Sequence, residues 1–299
     1  MRHFFYLTLF LLALSACSEK KPRPDFDVVT GIKFTEVRRA YDTGSSFGVQ
    51  GFQQKPEWVL YFLPHDSVKI YSPKRRRYIY YPMYYDHDSV FNFAREWFRI
   101  KLLAKDSMIL QLLQVNGARE IVAEQSNVYM KFYSDNYLKN VIHADPEQLK
   151  LPNHFDTLYI REKSGRANRN PTNADSAFSA RSPVSFVSRS ASVKVTKVPA
   201  TLDVFQNPTE SDEYMYPAFD VRIAEAYKDF YYSFTALISE KGKIHVLTSL
   251  QLAEDMEARK KTIQAVADLY LARYLQVVPG STLGIRHTSK VTINVEGKR

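Results

Sequence analysis

Short runs of aromatic and β-branched residues recur through the first half of the chain, and they constrain its fold more than any other feature. Three of them are Trp58–Phe62, Ser67–Tyr71 and Val128–Tyr133, which have the alternation expected of half-buried strands. Turn residues separate the runs, and Asn116-Gly117 is a strong hairpin signal. The pattern predicts an antiparallel β meander or small barrel over residues 26–163.

A polar stretch follows the predicted β domain. Residues 164–192 are dominated by Ser, Asn, Arg, Ala and Pro, and they include few side chains able to bury apolar surface. This composition predicts a flexible linker, and the length of the chain suits two modest domains on either side of it. A flexible chain of about 28 residues spans roughly 30 Å, so we expect the two domains to move independently.

Residues 193–299 show the clearest order of elements. Tyr231–Ile238 and Ile244–Leu250 alternate as the two strands of a hairpin. Apolar residues then recur at helical spacing until Pro279-Gly280 ends the helix, and Lys290–Val295 alternates as a closing strand. The order strand, strand, helix, strand predicts a small α+β domain, and the whole chain is expected in the α+β class.

The first residues of the chain carry an export pattern. Arg2 precedes an apolar run, Phe4–Leu14, that is too short to cross a bilayer as a permanent helix, so residues 1–16 are predicted to be a signal peptide. The end of this segment, Leu14-Ser15-Ala16-Cys17, resembles the lipobox of bacterial lipoproteins. The resemblance implies cleavage before Cys17 and attachment of lipid to that cysteine. An ordinary signal peptide that happens to precede a cysteine is the alternative.

Cys17 is the only cysteine in 299 residues, so the chain cannot form an intramolecular disulfide. Two acyl chains on this residue would suffice for stable anchoring to a membrane. Residues 17–25 are polar and contain prolines, which predicts a lipidated tether before the first domain. The lipoprotein resemblance implies a lipid-anchored location in the bacterial cell envelope, and Ser18 favours the outer membrane.

Five pieces of the C-terminal third stand in a characteristic order. They are Tyr216-Pro217 before the first strand, Glu240–Lys243 in the hairpin, Arg259–Gln276 in the helix, Val278–Gly280 after it and Val291–Val295 in the closing strand. Together they resemble the C-terminal domain of TonB and TonB-like envelope proteins. The resemblance implies a protein-contact module whose sheet accepts a segment of an envelope protein partner at an edge. The candidate contact edge comprises Lys290, Val291, Thr292, Ile293, Asn294 and Val295. The alternative is a small α+β domain that packs only on its own neighbour or dimerises.

A basic and tyrosine-rich segment lies in the predicted β domain. This candidate ligand loop comprises Lys74, Arg75, Arg76, Arg77, Tyr78 and Tyr80. Cations and stacking rings together can hold anionic or sugar-containing ligands. The alternative is the solvated tip of a hairpin, with tyrosines that cover the strands. The formal net charge of +9 favours anionic lipid headgroups or polysaccharides over nucleic acid as partners of an exported protein.

The sequence contains no motif for catalysis, phosphate binding or a dinucleotide cofactor. We therefore predict that the chain is neither an enzyme nor a cofactor-binding protein. Asp86-His87-Asp88 combines metal-ligand residue types, but on a strand its histidine faces away from its aspartates, and no metal site is predicted. His245 and His287 lack a carboxylate at a spacing that suggests a triad, so we expect surface or hydrogen-bonding histidines.

Two functions are open from the sequence. In the first, lipid on Cys17 anchors the protein to a membrane, and the TonB-like domain is a non-catalytic module that contacts another envelope protein. In the second, the N-terminal β domain of the lipoprotein binds a lipid or a glycan in a pocket. The residues expected to line that pocket are Trp58, Tyr61, Trp97, Phe98 and Tyr133. An exposed edge at residues 290–295 would favour the first function, and a sizeable pocket would favour the second.

Overall fold

A computed structural model describes residues 23–200, 210–252 and 254–299. Cys17, the predicted signal peptide and most of the predicted tether lie outside these residues. The chain divides into two compact units. Unit 1 comprises the residues through Asp42 together with Lys55–Leu151, and unit 2 comprises Thr43–Gln54 together with Pro152–Arg299. The segment 43–54 therefore belongs to unit 2, although both of its flanking segments belong to unit 1.

Strands dominate the structure, with 40% of residues in strands and 21% in helices. The predicted α+β class is therefore wrong, because the protein is mostly β. Strands that were not predicted from the sequence include Ser185–Ser188, Val193–Lys197 and Ala218–Ile223.

Unit 1 is built on a nine-stranded sheet. Its strands are β1 (Lys33–Tyr41), β2 (Val59–Leu63), β3 (Ser67–Ser72), β4 (Arg77–Pro82), β5 (Tyr84–Tyr85), β6 (Val90–Phe93), β7 (Glu96–Leu103), β8 (Ser107–Leu113) and β9 (Val128–Ser134). They lie in the order β4-β3-β2-β1-β9-β8-β7-β6-β5, and every neighbouring pair is antiparallel. The expectation of an N-terminal β meander or small barrel agrees with this sheet.

The two edge strands of this sheet, β4 and β5, are separated in sequence only by Met83. Because an even number of antiparallel steps leads from one edge to the other, β4 and β5 run in the same direction. They therefore form one bent strand, Arg77–Tyr85, whose first part pairs with β3 and whose last part pairs with β6. Sharing this strand between both edges makes the sheet a nearly closed barrel.

Side chains fill the interior of the barrel. The largest of them are Phe34, Leu60, Phe62, Phe91, Phe93, Phe98, Met108, Leu110, Met130 and Phe132, and all are buried. Phe93 stacks on Phe98 with ring centroids 4.5 Å apart, and Trp58 meets Phe98 edge-on at 5.5 Å. Strict alternation along β9 produces this inward face, because every second residue of that strand is buried.

Unit 2 contains a five-stranded sheet in the order β11-β12-β18-β13-β14. The strands of the unit are β10 (Ser185–Ser188), β11 (Val193–Lys197), β12 (Ala218–Ile223), β13 (Phe230–Ile238), β14 (Ile244–Ser249), β15 (Leu275–Val278), β16 (Ser281–Thr282), β17 (Ile285–Arg286) and β18 (Ser289–Gly297). The pair β12 and β18 is parallel, and the other neighbours in this sheet are antiparallel.

Helices are few in the described residues, and the longest lie in unit 2. The α-helices are α1 (Pro146–Leu149), α2 (His154–Arg169), α3 (Glu210–Met215), α4 (Met256–Val266) and α5 (Ala272–Tyr274). The other helical segments are the 3₁₀ segments Asp27–Val29 and Ala123–Gln125 and the π segments Tyr137–Val141 and Ala267–Leu271. The second π segment joins α4 to α5, so this stretch is one continuous helix that buries Ile263, Val266 and Leu271 in the core of unit 2.

Residues 164–192, predicted to be a flexible linker, are folded into unit 2, so that prediction is wrong. Helix α2 runs through Arg169 and begins with a capping box, in which Asn153 and Asp156 exchange hydrogen bonds between side chain and backbone. Its buried face contributes to a small core of Phe47, Ile160, Ala167 and Phe178. Strand β10 pairs with β15. The composition was misleading because the helix buries small side chains such as Ala167, which give a weak hydrophobic signal.

The predicted contact edge, Lys290–Val295, lies in β18 at the centre of the five-stranded sheet. β18 pairs with β13 on one side and with β12 on the other, over residues 218–223. Both sides of its backbone are thus used within the sheet, and Val291, Ile293 and Val295 are buried. The prediction of an exposed edge is wrong because β11 and β12 extend the sheet beyond this strand. Strands β13 and β14, the α4–α5 helix and β18 follow one another in the predicted sequence, but β15, β16 and β17 lie between the helix and β18.

Candidate functional site

An open groove of about 810 Å³ lies on the surface of unit 1. It is lined by Tyr84, Tyr85, Asp86, Asn92, Arg95, Glu96, Trp97, Leu113, Gln114, Val115, Asn116 and Arg119. The end of the shared strand, the β6–β7 hairpin and the loop after β8 contribute these residues. Aromatic rings, amides and charges of both signs therefore meet on one surface.

A two-residue turn, Ala94-Arg95, connects β6 to β7 and forms one part of the groove. Phe93 pairs with Glu96 across this turn, and the central residues have φ values of 53° and 67°. Positive φ at both central positions suits a hairpin but is unfavourable for Ala and Arg, at about 1 kcal/mol or more each. Asn92 Nδ2 donates a hydrogen bond of 3.1 Å to the carbonyl oxygen of Glu96. The turn thereby holds the Arg95 and Glu96 side chains at the groove.

Asn116 organises a second part of the groove. Its Oδ1 accepts hydrogen bonds from the backbone N–H groups of Ala118 and Glu120, both at 2.9 Å. Its Nδ2 donates to Glu120 Oε2 at 3.0 Å. These bonds fix the loop in which Arg119 has a φ of 64° and an exposed side chain. The Asn116 side chain is thus used within the loop, whereas the Arg119 side chain is exposed at the groove.

The aromatic part of the groove consists of Tyr84, Tyr85 and Trp97. Tyr84 is 62% exposed. The ring of Tyr85 packs on Phe91 with centroids 5.4 Å apart, and the guanidinium carbon of Arg23 lies 5.3 Å from the Tyr85 centroid. Trp97 is half-buried in β7. Such rings offer apolar faces beside polar groups, which suits a ligand that has both kinds of surface.

The charged side chains of the groove balance one another. Asp86 and Glu96 are acidic, and Arg95 and Arg119 are basic. Burial raises the pKa of the Glu96 carboxyl above its usual value, and the charge of Arg39 opposes that shift. Because neither sign dominates, a neutral ligand rich in hydroxyl groups fits these charges better than a strongly charged one does.

Arg39, which influences Glu96, also belongs to a buried ion pair. Its Nε and Nη2 each donate a hydrogen bond of 2.7 Å to the carboxylate of Glu36. Glu36 Oε2 further accepts the backbone N–H groups of Glu57 at 2.8 Å and Trp58 at 3.0 Å. Burial raises the pKa of Glu36, while these donors oppose the shift by stabilising its charged form. The cluster fixes β1 to the segment that leads into β2.

The five residues predicted to line a pocket do not line one site. Trp58 and Phe98 belong to the barrel core, and Tyr61 and Tyr133 lie on the outer face of their strands. Trp97 alone among the five lines the groove. Most of the groove was therefore not predicted from the sequence.

The groove residues that were not predicted come from the short strand β5 and the turn after it, the β6–β7 hairpin, the end of β8 and the loop after β8. The run of tyrosines from Tyr78 to Tyr85 was a signal for Tyr84 and Tyr85. The roles of Arg95 and Arg119 had no local signal, because both depend on turns with positive φ at residues other than glycine.

The candidate ligand loop, Lys74–Tyr80, forms the tip of the β3–β4 hairpin and the start of β4. Lys74–Arg77 are exposed, whereas Tyr78 and Tyr80 lie on the outer face of the strand, opposite Tyr71 and Lys69. Within the described part of unit 1, the groove lining includes no residue of this loop. The basic loop and the groove are therefore two separate surfaces of the barrel unit.

His287 lies inside unit 2 and makes hydrogen bonds there. Its ring stacks on Phe178 with centroids 3.6 Å apart, Nε2 lies 3.0 Å from Thr282 Oγ1, and Nδ1 lies 3.2 Å from the carbonyl oxygen of Thr288. Burial lowers the pKa of His287 to about 4, and the charge of Lys163 acts in the same direction. His245 is partly exposed on β14, and burial also lowers its pKa.

Asp86-His87-Asp88 lies in an exposed turn before β6, where the side chains of Asp86 and His87 contact each other. Within the described ranges, no group of three or more His, Cys, Asp or Glu is placed to hold a metal ion.

In the same ranges, no helix is both long and apolar enough to span a bilayer. A scan against protein-family models finds no matching family, and a search of curated proteins finds no matching sequence.

Proposed function

We propose that this protein is a membrane-anchored lipoprotein of the bacterial envelope whose barrel unit binds a saccharide, without turnover, in the groove around Tyr84, Trp97 and Arg119. The observation that carries the proposal is the convergence of exposed aromatic rings with amide and guanidinium groups on one open groove.

A saccharide matches the chemistry of this groove. A sugar ring has an apolar face of C–H groups, which packs on an aromatic ring, and a rim of hydroxyls, which exchange hydrogen bonds with polar groups. Tyr84 and Trp97 supply rings, and Gln114 and Arg119 supply hydrogen-bonding groups. A fatty acyl ligand would instead need an enclosed apolar cavity, whereas side chains such as Phe62 fill the interior of the barrel.

The anchoring part of the proposal rests on the lipobox-like sequence that ends at Cys17. An extended chain advances at most about 3.6 Å per residue, so the few residues between Cys17 and Arg23 span on the order of 20 Å. Arg23 is in turn tied to unit 1, because it pairs with Asp66 and lies over the Tyr85 ring. Lipid on Cys17 would therefore keep the groove close to the membrane surface.

A protein-contact function would need a different edge from the one expected. The outer strands of the five-stranded sheet are β11 and β14. On β14, Gln264 Oε1 accepts the N–H of Val246 at 2.9 Å, and Gln264 Nε2 donates to the carbonyl oxygen of Ile244 at 3.0 Å. A side chain thus occupies backbone groups that a partner strand would use. This arrangement favours the saccharide proposal over strand addition at β14.

The proposal is tested by presenting envelope oligosaccharides to the chain from residue 17 onward, with Cys17→Ser, on a glycan array and then by calorimetric titration. Binding should quench or shift the fluorescence of Trp97. Tyr84→Ala and Arg119→Ala should each weaken binding by roughly tenfold or more, since each removes about 1–3 kcal/mol of stacking or hydrogen bonding.

Tyr80→Ala is the matched control, because Tyr80 is an exposed tyrosine of the same unit that does not line the groove. Its affinity should equal that of the unaltered protein. The proposal fails if no oligosaccharide binds, or if Tyr84→Ala and Tyr80→Ala have equal effects.

A further inference from the structure

The outer face of β2, β3 and β4 carries interleaved tyrosines and cations. Lys69 Nζ lies 4.2 Å from the ring centroid of Tyr61 and 5.3 Å from that of Tyr78. Tyr78 meets Tyr61 and Tyr71 edge-on, with centroids 5.5 and 5.4 Å apart. Tyr80 follows on the same face and is 67% exposed. We call this surface, with the hairpin tip Lys74–Arg77, the tyrosine–cation face.

The charge of this face is strongly positive. The segment Val59–Pro82 contains Lys69, Lys74, Arg75, Arg76 and Arg77, and its only acidic residue is Asp66. Asp66 is paired with Arg23. A second carboxylate close to Tyr78, that of Asp135, is paired with Lys33 at 3.2 Å and lies 3.6 Å from Lys139. These two carboxylates are therefore paired with cations, and the hairpin tip adds four basic residues to the face.

We propose that the tyrosine–cation face docks on the anionic headgroups of a lipid bilayer. Tyrosine is favoured at the boundary between headgroups and acyl chains, where its ring packs on apolar groups and its hydroxyl stays hydrated. Lysine and arginine near the surface attract anionic lipids, and their long stems allow the charge to reach phosphate groups. A sheet face that offers both residue types suits a bilayer surface better than it suits an enclosed ligand.

The position of the chain end supports a membrane as the occupant. Arg23, the first described residue, contacts Asp66 in the turn between β2 and β3, which borders the tyrosine–cation face. If Cys17 carries lipid, as the proposed function holds, this face starts within on the order of 20 Å of the bilayer. The lipid would then supply attachment and the face would supply orientation.

The test uses the chain from residue 17 onward with Cys17→Ser, so that no lipid contributes to binding. Co-sedimentation is measured with vesicles of phosphatidylcholine alone and with vesicles that also contain phosphatidylglycerol. We expect binding only to the anionic vesicles, and release by salt. The variant R75Q/R76Q/R77Q should bind roughly 100-fold more weakly, at about fivefold for each cation near the surface.

A matched control separates the face from net charge. The variant K241Q/K243Q/K261Q removes three exposed lysines of unit 2 and changes the net charge by the same amount. It should keep most of the affinity. Equal losses in the two triple variants would show attraction by net charge alone and would overturn the proposal, as would equal binding to neutral vesicles or no binding at all.

A fluorescence measurement tests the orientation directly. Tyr80→Trp should shift its emission to the blue on anionic vesicles, whereas Leu269→Trp should not, although Leu269 is 68% exposed on unit 2. Equal responses of the two tryptophans would contradict the proposed orientation. None of the substituted residues lines the groove, so this inference and saccharide binding can fail independently.

Discussion

Glu36 and Arg39 form a bidentate ion pair inside the barrel, with both N···O distances at 2.7 Å. The Glu36 side chain is fully buried and that of Arg39 is 16% exposed. Two backbone N–H groups complete the shell around the carboxylate. A buried charge of this kind is tolerated because its partners satisfy it, so the loss of either partner is costly.

Glu36→Gln should therefore lower the free energy of unfolding of unit 1 by about 3–5 kcal/mol, because it leaves the Arg39 guanidinium buried without its counter-charge. Both tryptophans, Trp58 and Trp97, lie in unit 1, so urea denaturation followed by tryptophan fluorescence reports on this unit. Glu57→Gln alters a neighbouring exposed carboxylate and should change stability little. Equal effects of the two substitutions would contradict this account.

His287 should make the stability of unit 2 depend on pH. Its pKa is about 4 in the folded unit, against about 6.5 when unfolded, so the unfolded chain binds the extra proton in this window. Stability is then full above pH 6.5 and falls by about 3 kcal/mol as the pH decreases toward 4. Helical circular dichroism in urea measures this, because α2 and α4 both lie in unit 2.

His287→Gln should remove most of that pH dependence. His245 is the comparison, since its pKa is also lowered by burial but its ring is partly exposed. His245→Gln should leave most of the slope in place. An unchanged slope in the His287 variant would show that other groups govern the acid sensitivity of the unit.

Gln264 should protect the outer edge of the five-stranded sheet. Gln264→Leu leaves the N–H of Val246 and the carbonyl of Ile244 without their side-chain partner, which should cost about 1–3 kcal/mol. The opened edge should also promote pairing between molecules, seen as a dimer by sedimentation velocity. Gln276→Leu changes an exposed glutamine of the same unit and should do neither. A monomeric Gln264 variant of unchanged stability would refute this role.

Asp156 should hold the segment 43–54 against helix α2. Its Oδ1 accepts hydrogen bonds from the N–H of Ser46 at 2.6 Å and from the Ser46 hydroxyl at 2.9 Å, while Oδ2 accepts the N–H of Asn153 at 2.7 Å. Asp156→Ala should cost about 3 kcal/mol, because bonds to a buried carboxylate and a helix cap are both lost.

Limited chymotrypsin digestion at Phe52, an exposed residue within this segment, gives the measurement for Asp156→Ala. Cleavage should be faster in the variant than in the unaltered protein. Asp175→Ala, at an exposed aspartate of unit 2, is the control and should leave the rate unchanged. Equal cleavage rates in both variants would mean that Asp156 does not restrain the segment.

The barrel could be predicted from the sequence because inward and outward side chains alternate along its strands, as in Val128–Ser134. The closure of the barrel could not be predicted from the sequence. It depends on the pairing of Arg77–Tyr85 with two different strands, and a strand's pairing partners leave no signal in its local sequence. The hairpin and helix of unit 2 were recognised from their periodicity. The central position of Lys290–Val295 was missed because β12 comes to its side from far along the chain, in a parallel pair.

The groove was harder to predict from the sequence than the fold. Trp97 was singled out as an aromatic residue, but Arg95 and Arg119 reach the groove through turns whose positive φ values fall on Arg and Ala rather than on Gly. Such turns cannot be read from residue preferences, which would place Gly, Asn or Asp there. The basic loop Lys74–Arg77, by contrast, was evident from the sequence, because four consecutive basic residues can be recognised from composition alone.

The pairing of β1 with β9 has a consequence for how the protein reaches its folded state. The first strand of unit 1 finds one of its partners only at the last strand, with Phe34 opposite Ser134. A ladder between ends so distant in sequence is slow to form, because the entropy of closing the intervening loop is lost before the contacts are gained. If the chain emerges from a translocon with its N-terminus first, one side of the β1 backbone has no strand to pair with until nearly the whole unit has crossed the membrane. The early part of export is then the period in which this strand is most exposed to aggregation and most in need of a chaperone.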